Sequence, residues 1–96
     1  MQYDRVCELA ESAKADGATF LTGGEPMPGP GYFFPVTIVK DIPESSRLVQ
    51  EEPFGPILPV VSFSDVEDAL EKANAVSVGL GGSVWSSDVA VAQKLA

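Results

Sequence analysis

Residues 57–73, Ile57-Leu58-Pro59-Val60-Val61-Ser62-Phe63-Ser64-Asp65-Val66-Glu67-Asp68-Ala69-Leu70-Glu71-Lys72-Ala73, place a strand pattern directly before a helix pattern. Ile57 to Phe63 is apolar on both faces, as a covered parallel strand is, and Pro59 is the one residue that argues against a central position in a sheet. Ser64 followed by Glu67 reads as a capping box, in which a hydroxyl and a carboxylate satisfy the free N–H groups of a first turn. Behind it Val66, Ala69, Leu70 and Ala73 recur at i, i+3, i+4 and i+7 and form one apolar helix face. A strand feeding such a helix is the repeating step of α/β folds.

Working outward toward the N-terminus, Tyr3, Val6, Ala10 and Ala13 fall at helical spacing with Leu9 beside them, and Gly17 supplies the stop. Ala18 to Leu21 suits a short strand. The stretch Gly23–Gly31 holds four glycines and three prolines, too many for regular structure, and reads as a loop. Phe33 to Lys40 is rich in aromatic and β-branched residues and predicts a strand, with Pro35 putting it at a sheet edge or marking its beginning. Glu44 to Val49 suits a short helical turn after Pro43, and Gln50 to Pro56 a shaped loop. Beyond the central helix, Asn74 suits a C-terminal position in left-handed geometry. Gly79 to Gly82 reads as a tight loop, Ser83 to Ser86 as a short strand, and Asp88 or Ser87 as the cap of a last helix whose Val91, Ala92 and Leu95 begin a stripe. A helix of about two turns is marginal unless something packs on it. The expected fold is therefore α/β, a partial open sheet belonging to a larger domain, with at least some parallel pairing.

Fourteen acids against six bases give a net charge of −8 and a surface that repels phosphate backbones, so nucleic acid is not an expected partner. No apolar run approaches the roughly 18 residues of a membrane span, and the opening Met1-Gln2-Tyr3-Asp4-Arg5 is unlike a signal peptide, so a cytoplasmic setting without membrane contact is expected. The single cysteine rules out an internal disulfide and a Cys-based metal framework, and the lack of histidine removes the commonest metal ligand and general base; no metal is expected. Cys7 lies in the first helical pattern with Asp4, Glu8 and Glu11 on adjacent turns. Like charge disfavours the thiolate, so Cys7 reads as structural and half-buried. Gly79, Gly81 and Gly82 do not complete a dinucleotide fingerprint, because Val84 stands where its last glycine belongs.

Gln50-Glu51-Glu52-Pro53-Phe54-Gly55-Pro56 resembles the Glu-Glu-x-Phe-Gly-Pro motif of the aldehyde dehydrogenase superfamily. Gly31-Tyr32-Phe33-Phe34-Pro35-Val36-Thr37 resembles its Gly-Tyr-Phe-x-x-Pro-Thr stretch, and Asn74, Gly79-Leu80 and Ser83-Val84-Trp85-Ser86 resemble its Asn-x-x-x-Tyr-Gly-Leu-x-x-x-Val-Phe segment. The opening helix with Gly17-Ala18 and Gly23-Gly24 fits as well, so the resemblance covers essentially the whole chain. Two departures stand out: Val78 replaces a tyrosine, and Val36-Thr37 displaces the Pro-Thr pair by one residue.

The resemblance implies that residues 1–96 are one segment of the catalytic domain, the part that follows the catalytic cysteine. It implies a protein that oxidises an aldehyde to a carboxylic acid with NAD or NADP, and it assigns no catalytic residue to this chain. Glu52 matches the glutamate that accepts hydrogen bonds from the nicotinamide ribose, a task suited to a carboxylate because two oxygens can take a vicinal diol's two donors. Phe54 matches the aromatic near the nicotinamide ring, whereas Glu51 reads as structural. Taken alone, the chain is expected to be inactive and to bind no cofactor, and to associate with itself or with the remainder of the enzyme. A reading from another class is a stand-alone α/β remnant serving as an interaction or self-association module.

Overall fold

The computed structural model describes all residues, Met1–Ala96. Helix α1 spans Gln2–Ala15 and turns its Val6, Leu9, Ala10 and Ala13 inward, the face its periodicity predicts. Gly17 then adopts a left-handed φ of 83°, ending the helix. Strands β1 (Thr19–Thr22), β2 (Thr37–Lys40) and β3 (Ile57–Pro59) form an open sheet in the order β1-β2-β3. The β1–β2 pair is antiparallel with an irregularity between Phe20 and Thr22, and β2–β3 is parallel, with Thr37 opposite Ile57 and Ile38 opposite Leu58. The short helix α2 (Arg47–Gln50) lies on the connection between those parallel strands.

Three of the four expected strands are present: β1 lies one residue on from its predicted place, and β2 and β3 are shorter than predicted. Pro35 has no N–H to give to a ladder, so pairing begins only at Thr37, whose own N–H donates to the Pro56 carbonyl at 2.8 Å. Pro59 ends β3 in the same way, and Val60 N–H makes a last bond to the Val39 carbonyl. Nor is β3 covered on both faces: Ile57 is buried, but Leu58 is 59% exposed. The chain closes β1 onto β2 through Gly23, which has φ 70° and no room for a side chain against Thr37 and the Val36 carbonyl.

One core unites the elements: Val6, Leu9, Ala10 and Ala13 of α1 pack with Val39, Ile42, Leu48 and Ile57. Every member lies before residue 60. Helices α3 (Val66–Asn74) and α4 (Val89–Leu95) bury no residue. The molecule is accordingly elongated, 50 × 24 × 23 Å. It exposes 6807 Å², against about 5,300 Å² for a folded protein of its mass.

The helix starts differ by small steps from the sequence reading. Asp65, not Ser64, caps α3, its carboxylate accepting from Asp68 N–H at 2.8 Å, while Ser64 N–H donates to the Asp68 carboxylate at 2.9 Å. The Ser64–Glu67 box does not form: Asp65 is the cap, and Asp68 reaches back past it to the N–H of Ser64. Asp88 caps α4 by accepting from Val91 N–H at 3.1 Å. Asn74 is the last residue of α3, and Ala75 caps it in right-handed geometry, so no left-handed asparagine is used. Ser83–Ser86 forms no strand, since no strand lies beside it to share a ladder, and Trp85 stands 90% exposed.

Candidate cofactor site

The loop from Glu51 to Pro56 leaves α2 and enters β3, so regular structure holds both its ends. Helix α1 holds its middle. Gln2 Nε2 donates to the Phe54 carbonyl at 2.7 Å, and Arg5 Nη2 donates to the Glu52 carbonyl at 3.3 Å. Gly55 presses so closely on Val6 that a Cβ there would collide with the valine's Cγ2. Phe54 has a φ of 50°, the left-handed region, where a bulky side chain is strained by about 1–2 kcal/mol. Such strain persists only where the surroundings over-determine it, as the Gln2 bond and the Gly55–Val6 contact do here.

The two glutamates of the loop have different fates. Glu51 is clamped: Arg47 approaches Oε2 through Nε at 2.6 Å and Oε1 through Nη2 at 3.3 Å, and Arg5 Nη2 reaches Oε1 at 3.4 Å. Arg47 also lies 3.8 Å from Glu8. The Arg47 hydrogen bond is the main cause holding the Glu51 carboxyl below its ordinary value; partial desolvation opposes it, and the charges of Arg47 and Arg5 add to it. Arg47 is raised in turn, chiefly by the same bond. Glu52 is exposed, and its carboxylate takes no hydrogen bond or ion pair from the chain; only its carbonyl is engaged.

Glu52 borders an open groove of about 560 Å³, together with Leu48, Val49, Leu58, Val78 and Leu80. Phe54, 68% exposed, borders a separate hollow of about 320 Å³ with Gln2, Tyr3, Tyr32 and Phe33. There the Tyr3 and Tyr32 rings meet edge to face at 5.6 Å. The structure therefore brings Glu52 and Phe54 onto one loop but not into one hollow. Chemically, an unengaged carboxylate on an apolar groove is free to accept from the two hydroxyls of a sugar diol, and that donor–acceptor match fits the ribose of a dinucleotide. Cys7 is half-buried on α1, as expected of a structural thiol.

Reading the sequence left out Gln2, Arg5 and Arg47. A local signal existed for one of them, because Arg47 and Glu51 stand four apart, the spacing of a helical ion pair. Arg5 lies 46 residues from Glu51 and Gln2 52 from Phe54, and no local pattern joins them.

A parallel strand pair joined through α2, with a shaped acidic-aromatic loop entering its second strand, places the chain among α/β segments. The chain belongs to the aldehyde dehydrogenase family, whose model matches residues 1–96. Among curated proteins it is similar to succinate-semialdehyde dehydrogenase (NADP(+)) of Mycobacterium avium, 41% identical over 91 residues, 95% of this chain and 19% of that protein. Among solved structures it is similar to lactaldehyde dehydrogenase from Escherichia coli, with TM-score 0.91, 35% identity and coverage of 98% of this chain and 20% of that one. An NAD+ complex of aldehyde dehydrogenase from Bacillus cereus superposes with TM-score 0.88 and 34% identity, covering 98% of this chain and 19% of that one. The chain thus spans about a fifth of the length of these relatives. No helix is long and apolar enough to cross a membrane.

Proposed function

We propose that residues 1–96 work as the part of an aldehyde dehydrogenase catalytic domain that follows the catalytic cysteine, with Glu52 holding the nicotinamide ribose of NAD or NADP. The observation that carries this reading is the unengaged Glu52 carboxylate on its groove, next to a Glu51 whose carboxylate is already occupied. When bound, the cofactor accepts hydride as an aldehyde becomes a carboxylic acid. Glu52 fixes the ribose; Phe54, on the same loop, would present an apolar face that keeps water from the ring only by turning out of the separate hollow it borders. The NADP(+) in the name of the Mycobacterium relative and the NAD+ in the Bacillus structure support a nicotinamide cofactor for this chain. The proposed setting is the cytoplasm. Residues 1–96 by themselves carry no histidine base, and their one thiol, Cys7, is half-buried on α1; taken alone they are proposed to be inactive.

Glu52→Gln, made in the natural polypeptide that carries these residues, tests the reading. The amide keeps the size but weakens charge-assisted acceptance, and the burst of reduced cofactor should slow roughly tenfold to a hundredfold. Glu51→Gln should slow it less. Equal damage from both, or none from Glu52→Gln, overturns the assignment.

A second reading rests on the apolar hollow of about 660 Å³ between α3 and α4, lined by Phe63, Val66, Leu70, Trp85, Val91 and Leu95. Uncovered surface of that kind marks interaction sites, and residues 1–96 alone should self-associate through it despite their negative charge. Light scattering should show dimers or larger species; a clean monomer across a wide concentration range counts against the self-association module.

A further inference from the structure

Four side-chain contacts converge on the few residues around Glu52, and none of them touches the Glu52 carboxylate. Arg47 forks onto Glu51 from within α2, Arg5 joins the Glu51 carboxylate to the Glu52 carbonyl, and Gln2 bonds the Phe54 carbonyl. The Arg5 guanidinium is the link that matters, because a single Nη2 bonds both the side chain of residue 51 and the backbone of residue 52. The Glu52 carbonyl belongs to the Glu52–Pro53 peptide, so turning the backbone at Glu52, and with it the side chain relative to that carbonyl, would have to break the Arg5 bond to it or pull Arg5 from Glu51. A planar guanidinium suits this better than an ammonium, since its donors sit in a fixed fork.

We propose that Arg47 and Arg5, closing on Glu51, are positioning residues for Glu52: the clamp sets the direction of the Glu52 carboxylate without contacting the cofactor itself. The proposal rests on the reading that Glu52 holds the ribose. It also explains why the loop carries two adjacent glutamates, one to be held and one to hold. Arg47 is the residue to change, because it contacts Glu51 and Glu8 but neither Glu52 nor Phe54. The Arg47 and Glu51 side chains are 46% and 35% exposed, so water and salt screen the clamp and its removal should loosen rather than abolish the site.

The experiment is a double-mutant cycle in the natural polypeptide, with Arg47→Met, Glu52→Gln and both together. Two quantities are read: the Kd of NADH, from its fluorescence on binding without turnover, and the rate of the reduced-cofactor burst. Arg47→Met alone should weaken NADH binding and slow the burst by about two- to fivefold. In the Glu52→Gln background it should do neither, while any fall in Tm should be the same in both backgrounds. Arg47→Lys, which keeps the charge but not the fork, should restore part of the loss and guards against a variant that does not fold. If Glu52→Gln weakens binding but Arg47→Met does not, or does so by the same factor in both backgrounds, the clamp is overturned and the ribose contact stands. If Glu52→Gln leaves binding and burst unchanged, the ribose contact fails and the clamp with it.

Discussion

Residues 1–59 and residues 60–96 are built from the same kinds of pattern and reach different ends. In the first region α1 lays its apolar face on β2, β3 and α2, and all eight core side chains are found there. In the second region α3 carries as clear a stripe, Val66, Ala69, Leu70 and Ala73, behind a well-formed aspartate cap, yet buries none of it. Leu80 is 98% exposed. A periodic apolar face says where a helix is to be covered; whether the same stretch of chain supplies the cover is a separate matter, decided by which strands and helices can reach it.

The sharpest way to break that comparison is a pair of matched truncations. Leu9→Ala removes a side chain with no exposed surface and should cost residues 1–96 about 2–5 kcal/mol in urea unfolding. Leu70→Ala removes one that is only half-buried and should cost under about 1 kcal/mol. Equal costs would show that α3 belongs to the same cooperative unit as α1.

Acid offers a smaller, sharpening test, because each region holds one carboxyl whose proton affinity folding lowers. Glu51 in the first is held down mainly by the Arg47 hydrogen bond. Asp68 in the second is held down mainly by the Ser64 backbone bond and then by Lys72. A depressed folded-state value means that the contribution is whole above the ordinary carboxylate range. It is lost as pH falls through about 4 toward the depressed folded value. With no histidine present, Tm should be nearly flat between pH 6 and 8 and fall below about pH 4.5. Glu51→Gln should flatten part of that acid fall, and Asp68→Asn should leave the unfolding of the first region unchanged. An Asp68→Asn variant that shifts the main transition as much as Glu51→Gln would join the two regions.

Much of this was legible because it is local. The face of α1 follows from Val6, Leu9, Ala10 and Ala13, and its end from Gly17; the strand patterns read too long, past Pro35 and Pro59, whose missing N–H groups set the limits. The α3 cap was misplaced by one because Ser64 and Asp65 are both good caps, and only the geometry shows which side-chain oxygen faces the free N–H groups. Ser83–Ser86 has the composition of a strand, but pairing needs a neighbour, and none is present. For the site, Glu52 and Phe54 were nameable from the motif, and Glu51 as structural, a reading that its two arginines support. Their assignment to different hollows, and the role of α1 in pinning their loop, depend on contacts about fifty residues apart that no window of sequence contains.

The contact of Gly55 with Val6 ties two distant positions into one variable. No residue larger than glycine enters position 55 unless position 6 is trimmed, and a trimmed position 6 leaves a void in the eight-residue core. Anyone recasting this loop for a different ligand therefore inherits the helix as part of the design problem. Libraries that vary residues 51–56 alone will sample mostly sequences that α1 has already forbidden, whereas varying positions 6 and 55 together opens the region of sequence space in which the loop can change shape.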